Sequence, residues 1–550
     1  MPTHDYLQFF PFSKIRKEQK KAIEFAIDAY ESGKKYVVLE LGTGVGKSAT
    51  GITIARYMES YGAPVKNDAG DSLTGAYIVT TQKILQEQYL RDFGPQCGKG
   101  LVRSIKASSN YTCSFYTDQS CAESKRILLK LGKQLNGTEF QKHCKQQCKY
   151  SIEKQEFIDS PLAITNFSYI LAESNYSGKL EPRSMLVIDE AHNIESELGK
   201  FVEVTFSEKF AKDIIKCKPP KSDAQASVFD WIKNVYRKAV KKYAADIEKS
   251  LVKISNDIEG YGAYSKQYEM LEKHIGKIEQ FLEVYNPKNW IMNISSSITD
   301  SKKSGKKYEF KPVDVSPYSQ PVLFRLGGRT LMMSATIVDK NVFCQSLGLV
   351  PEEVAYLSIP SPFPVENRPI HILSVGSMAM ASIDTTLPKV AEVVKMLLEK
   401  HSNEKGIIHA ANYKVAKYIQ ENVNSKRIML HDSTDREKVL KHHIESAEPT
   451  VLISPSMMEG VDLADEASRF QILCKVPFPY LGDLVSVKRK EARKDWYDMQ
   501  TVKLILQSVG RSVRNEKDYA TSYILDTSFQ HLYRRSKWMF PEDFCLSVKF

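Results

Sequence analysis

The 550-residue chain has no apolar run approaching the ~20 residues that cross a bilayer, so no membrane-spanning helix is expected. Its start, Met1-Pro2-Thr3-His4-Asp5, lacks a basic stretch followed by an apolar one. No signal peptide is therefore expected, and a cytoplasmic location is the default. No repeat of solenoid length and no long low-complexity tract occurs. Cysteine is sparse, and its count of nine is odd, which argues against a disulfide framework.

What is present is ordinary in amount and uneven in placement. Apolar residues make up 42% and charged residues 26%, as in soluble chains with room for several cores. The net charge is +11, from 77 Lys and Arg against 66 Asp and Glu, which favours polyanionic partners. Between Cys97 and Glu156 stand 11 Lys and Arg against 5 Asp and Glu, so over half of the surplus falls in about a tenth of the chain. That segment reads as a nucleic-acid surface or a solvated basic face. Four cysteines, Cys113, Cys121, Cys144 and Cys148, fall within 36 residues here and suggest a metal site.

The first part alternates strand and helix. Ile15–Tyr30 carries an apolar stripe at Ala22, Ile23, Ala26 and Ile27. Tyr36–Leu39, Ala76–Thr80 and Met185–Ile188 read as short buried strands, with helices over Ala49–Met58 and Lys83–Leu90 and a polar loop over Lys66–Gly75. From about Phe363 the alternation returns, with strands at Gly406–Ala410, Val451–Ser454, Phe470–Lys475 and Ser522–Leu525. This pattern predicts two α/β domains, each a parallel sheet covered on both faces. Between them, apolar residues from Val228 to Ile258 and from Tyr268 to Leu282 recur at steps of three or four. They predict a helical hairpin broken at Gly260-Tyr261-Gly262, with Ser301–Tyr308 as a polar, Lys-rich connector.

Strand Tyr36–Leu39 runs into Glu40-Leu41-Gly42-Thr43-Gly44-Val45-Gly46-Lys47-Ser48 and then a helix. Glycines let backbone N–H groups turn toward phosphate oxygens at a helix N-terminus. Lys47 is expected on the β/γ-phosphates of ATP and Ser48 on Mg²⁺, although Leu41 stands where the strict pattern has its first Gly. Strand Met185–Ile188 delivers Asp189-Glu190-Ala191-His192: Asp189 suits the ion through water, and Glu190 suits the attacking water. Near the C-terminus, Gln507-Ser508-Val509-Gly510-Arg511-Ser512-Val513-Arg514 places two arginines three apart, able to reach the γ-phosphate from the second domain.

These motifs stand in the order of a superfamily-two helicase, and the chain resembles the iron–sulfur helicases of the XPD and DinG type, the DinG side slightly more through Asp495-Trp496-Tyr497. Thr80–Gln88 resembles their early strand-contacting motif, Ser334-Ala335-Thr336 the motif linking hydrolysis to movement, and Glu459-Gly460-Val461-Asp462-Leu463 a second-domain motif whose Asp462 would face the nucleotide. Arg16 and Gln19 resemble the adenine-side motif, with Gln19 the base contact. The segment ending at Cys113 and the strand Ala163–Phe167 also match. The resemblance implies two RecA-like motor domains, the first carrying an iron–sulfur insertion and an all-helical arch. The boundaries would be 1–95, 160–197 and 322–360 for the first motor, 96–159 for the cysteine-rich insertion, 198–321 for the arch and 361–550 for the second motor. With Lys47 so near the start, no additional N-terminal nuclease domain is expected.

The resemblance also implies a [4Fe-4S] cluster on Cys113, Cys121, Cys144 and Cys148. Their spacings of seven, twenty-two and three residues do not match common zinc patterns. Zinc or no metal remain alternatives, and Cys97 could replace one of the four. Cys217, Cys344, Cys474 and Cys545 read as packing residues. By the same resemblance, the chain would move 5′ to 3′ on single-stranded DNA and at junctions with duplex, as a monomer. Repair, replication and recombination are all compatible with that activity. Strand contact would be to phosphates and base faces, with Lys106, Tyr111, Lys125, Arg126, Lys488, Arg489 and Arg493 as candidates. A DEAH-type RNA helicase and a nucleic-acid-stimulated ATPase that never unwinds are the alternatives.

Overall fold

The computed structural model describes residues 4–94, 101–116, 119–124, 135–176, 180–253, 258–299, 302–431, 435–455, 463, 465–510, 512–513 and 515–550. Two seven-stranded sheets dominate, and every strand pair in both is parallel. In the first sheet the order is Val354–Ile359, Tyr36–Leu41, Gly327–Ser334, Arg183–Asp189, Ala76–Thr80, Leu162–Asn166, Val102–Ser104.

Its strands are apolar without alternation because both faces are covered. Val37, Leu39 and Leu41 join Met185, Val187, Leu331 and Met333 in one core with the helices Lys17–Glu31 and Lys47–Tyr61. Val38, Leu186, Ile188 and Met332, one residue out of step, enter the core on the opposite face. Each fully buried Val, Leu or Ile is worth about 1.5–3 kcal/mol, so a polar residue at any of these positions would be felt.

The second sheet runs Ile428–Leu430, Val451–Ser454, Gly406–His409, Phe470–Leu473, Thr521–Asp526, Ile370–Gly376, Val548–Lys549. The expected strands fall within a residue or two of those observed.

The insertion between the halves differs from the expectation of an all-helical arch. It does hold the helices Arg237–Lys253 and Ile258–Val284. Gly260-Tyr261-Gly262 lies inside the second helix and does not break the hairpin, and residues 254–257, between the helices, are outside the described set. Two glycines cost a helix about 1 kcal/mol each, which the core packing of Leu271, Ile278 and Phe281 further along it outweighs.

Residues 302–312 form a strand, not a connector. Lys302–Pro312 lies antiparallel between Val204–Ser207 and Trp290–Thr299. Trp290, Met292, Tyr308 and Phe310 are buried, while Ile291, Asn293 and Glu309, which alternate with them, are only half-buried. A half-solvated antiparallel strand has this alternation, which is why its lysines disguise it. The expected loop at Lys66–Gly75 carries only a two-residue hairpin pair, Val65–Lys66 with Ser72–Leu73.

Candidate ATP site and motor interface

Parallel strands bring their carboxyl ends to one edge, and that edge is where the site is built. Glu40 is in register with Ser334, and Asp189 with Met333, so three strand ends deliver the glycine loop, the acidic pair and the Ser334-Ala335-Thr336 segment side by side. A cleft of about 770 Å³ opens there. It is lined from the first half by Lys47, Ser48 and Glu190, among others, and from the second by Arg368, Gln507 and Asp543.

Leu41 explains its own departure from the glycine pattern. The strand continues through it, its side chain is fully buried, and the loop begins only at Gly42. Gly44 and Gly46 both adopt φ +91°, the left-handed region that glycine enters without strain. A Cβ on Gly44 would strike the ring of Phe363, and one on Gly46 the amide of Gln19. The linker between the halves thus packs on the loop, and Ser361 Oγ donates to Thr43 O at 2.8 Å. Arg16 also reaches the loop, donating to Gly44 O. Gln19 is buried behind it: its Oε1 accepts from Arg16 N at 2.9 Å and its Nε2 donates to Gly46 O at 3.4 Å.

Lys47 Nζ lies 3.9 Å from Glu190 Oε1, at the helix start where phosphates would be held. Asp189 is buried, accepting from Tyr89 O–H at 2.8 Å through Oδ2 and from Glu190 N at 3.0 Å through Oδ1. Tyr89 also borders Ser48, and burial beside Asp189 drives its hydroxyl well above the usual phenol range. It therefore stays a hydrogen-bond donor to Asp189 Oδ2. Glu190 has φ 55°, a left-handed conformation that costs a non-glycine residue on the order of 1 kcal/mol or more and is characteristic of strained functional positions.

His192 is buried, and desolvation, with Lys503 and Lys47 nearby, pushes its imidazole well below the usual histidine range. The neutral ring accepts from Gln507 Nε2 at 2.7 Å on Nε2 and places Nδ1 2.8 Å from Ser334 Oγ and 3.3 Å from Glu190 Oε2. Gln507 Nε2 also donates to Thr336 Oγ1 at 3.2 Å. One side chain of the second half thus bridges two motifs of the first. Asp462, Arg511 and Arg514 lie outside the described residues, and of the motif containing Asp462 only Leu463 is described, in the core.

Cys121 and Cys148 are buried with their sulfurs 3.8 Å apart. Cys113 Sγ accepts from Tyr116 N at 3.4 Å, and Tyr116 borders Cys144 as well. None of the four cysteines is in a disulfide, and thiols as donors suit iron or zinc. No group of three or more His, Cys, Asp or Glu among the described residues is arranged to hold a metal ion. Cys97 lies outside the described residues. Cys217, Cys344 and Cys474 are buried, and burial pushes the Cys344 thiol up to about 11.

The candidate strand contacts are mostly engaged by protein. Lys106 pairs with Glu87 at 2.6 Å, Tyr111 O–H donates to Glu153 at 2.6 Å, and Lys488 pairs with Glu491 at 2.8 Å. Lys125 and Arg126 lie outside the described residues. Arg489 and Arg493 turn inward to Glu195 of the first half, at 3.4 and 3.6 Å. Sequence reasoning missed Tyr89, Glu195 and Phe363. For Tyr89 and Glu195 a signal existed, since both sit within a helical turn or two of a recognised motif. No helix among the described residues is long and apolar enough to cross a membrane.

Comparison with known proteins agrees with this geometry. Residues 12–221 match the family described as type III restriction enzyme, res subunit, and residues 399–544 match the helicase C-terminal domain. The ATP-dependent DNA helicase CHL1 of Debaryomyces hansenii is 23% identical over 436 residues, covering 63% of this chain and 53% of that protein. The regulator of telomere elongation helicase 1 homolog of Caenorhabditis elegans is 30% identical over 87 residues, 13% of this chain and 9% of its own length. The chain therefore spans about half or less of these curated relatives. Among solved structures, one titled XPD helicase superimposes with a TM-score of 0.62 at 15% identity, covering 98% of this chain and 99% of that one. Xpd4 of S. tokodaii gives 0.57 at 14% identity, covering 97% and 99%. The chain thus matches the res-subunit family in its first half and the helicase C-terminal domain in its second, and it shares the two-sheet fold of the XPD structures.

Proposed function

We propose that this chain is an ATP-dependent DNA helicase that translocates 5′ to 3′ on single-stranded DNA and opens duplex at junctions, acting as a cytoplasmic monomer. The observation that carries the reading is the bridge from Gln507 of the second half to His192 and Thr336 of the first, directly beside Glu190. A hydrolytic site that needs both halves makes each turnover report on their separation, which is what a stepping motor requires.

Lys47 and Glu190 form an ion pair at 3.9 Å. Phosphates would draw Lys47 away and leave Glu190 to take the proton of the attacking water. Ser48 and Asp189 would hold Mg²⁺, which neutralises charge developing on the phosphates. His192, kept neutral, fixes Glu190 on one side and Gln507 on the other. Arg511 and Arg514 would stabilise the γ-phosphate, and Gln19 and Asp462 would serve the nucleotide. Cys113, Cys121, Cys144 and Cys148 would hold a [4Fe-4S] cluster whose iron–thiolate bonds cross-link the basic insertion. The preference for DNA rests on relatives named as DNA helicases.

The test is ATP turnover by anaerobically purified protein with single-stranded DNA, single-stranded RNA or neither. Activation by DNA well above RNA supports the reading. Activation by RNA alone would give the DEAH-type alternative the lead.

A further inference from the structure

The loop that carries the hydrolytic residues continues into the helix Ile194–Val202, and Glu195 stands in its first turn, only 7% exposed. Its carboxylate is occupied by the opposite half of the protein. Trp496 Nε1 donates to its two oxygens at 3.0 and 2.8 Å, Gln500 Nε2 at 3.4 Å, and the guanidinium groups of Arg489 and Arg493 stand at 3.4 and 3.6 Å.

Trp496 and Gln500 lie on the helix Lys494–Val509, which also bears Lys503 and Gln507. The spacing of these four is four, three and four, so they share one face. That face meets the hydrolytic loop along its length: Trp496 and Gln500 on Glu195, Lys503 Nζ on His192 O at 3.4 Å, Gln507 on the His192 ring at 2.7 Å. From Trp496 to Gln507 is about 17 Å of rigid helix. Fixing one end sets the register of the other.

We propose that Glu195 is a positioning residue for hydrolysis: it pins the near end of the Lys494–Val509 helix to the first half, so that Gln507 at the far end meets His192 in register. This rests on the reading of the chain as an ATP-driven motor. It also reassigns Arg489 and Arg493, which sequence alone would give to DNA phosphates. Their side chains are 14% and 15% exposed, and Arg489 additionally donates to Val313 O at 2.6 Å and Pro312 O at 3.2 Å. They hold the second half against the first, and Glu195 is the anion that lets two guanidinium groups be buried together.

The test is ATP turnover and fluorescent-ADP affinity for wild type, Glu195→Ala, Glu195→Gln, Gln507→Ala and the Glu195→Ala/Gln507→Ala double variant. Glu195→Ala should lower kcat by roughly tenfold or more while nucleotide affinity stays within about twofold. If Glu195 acts through Gln507, the double variant should be no slower than Gln507→Ala alone. Glu195→Gln, which keeps an acceptor for Trp496, should recover part of the loss. Losses that multiply in the double variant would overturn the proposal, as would a fall in nucleotide affinity matching the fall in turnover. Unchanged turnover with tighter oligo-dT binding would also overturn it, showing that Glu195 merely masks DNA-binding arginines. Should wild type hydrolyse no ATP, the motor reading itself fails. Amide exchange over residues 494–509 then decides alone: faster exchange in Glu195→Ala supports the pin, and unchanged exchange refutes it.

Discussion

The nucleotide cleft and the cysteine-rich insertion sit in the same half of the molecule and are built by opposite means. In the cleft each group is set by backbone: strand ends in register place Glu40 with Ser334 and Asp189 with Met333, and buried hydrogen bonds from Tyr89, Ser334 and Gln507 fix the side chains. In the insertion the thiols come from short turns and helix ends, with the Cys121 and Cys148 sulfurs 3.8 Å apart. A site made by a sheet edge stands ready without its ligand, whereas a site made by thiols takes its final shape from the metal.

The largest effect expected is Lys47→Ala, which should cut ATP turnover by on the order of 10²–10³ while strand binding stays largely intact. Steady-state turnover and anisotropy with labelled oligo-dT check it, and an equal loss of binding would remove Lys47 from the phosphates. Next, Gln507→Ala should lower kcat by roughly 10–100-fold with little change in nucleotide affinity, because its contacts cross between the halves. Third, Cys148→Ser, or iron chelation, should abolish iron content and expose residues 101–160 to protease. Strand displacement should then fall further than ATP turnover. Loss of nucleotide binding in step with iron would mean the cleft is not independently formed.

The smallest effect concerns a half-buried histidine on the helix Ile258–Val284. Burial between aromatic neighbours lowers His274 from 6.5 to about 4. It stays neutral in the folded chain while the unfolded chain gains a proton as pH falls through the usual histidine range. Stability is therefore fully present above about 6.5 and is lost progressively toward 4. Going from about pH 7 to about pH 5 should cost about 2 kcal/mol through this group. His274→Gln should flatten that dependence in thermal melts.

Much of the cleft was legible in sequence because its chemistry is local. A glycine loop between a strand and a helix, and two carboxylates at a strand end, announce themselves within ten residues. The paired parallel sheets were legible for a related reason, since strands buried on both faces read as unbroken apolar runs. The hairpin at Trp290–Pro312 was not, because its many lysines look like loop composition, although Trp290, Met292, Tyr308 and Phe310 keep a period of two. The inward turn of Arg489 and Arg493 was not legible at all. Whether a surface arginine meets a phosphate or a carboxylate depends on what the fold carries to it, here Glu195 from roughly 300 residues away.

Helicase activity is read by strand displacement, using anaerobically purified protein and duplexes with a 5′ tail, a 3′ tail or neither, with and without ATP. ATP-dependent displacement is expected from the 5′-tailed duplex and none from the blunt one. DNA-stimulated hydrolysis without displacement of any duplex would contradict it and leave a strand-activated ATPase in place of a helicase.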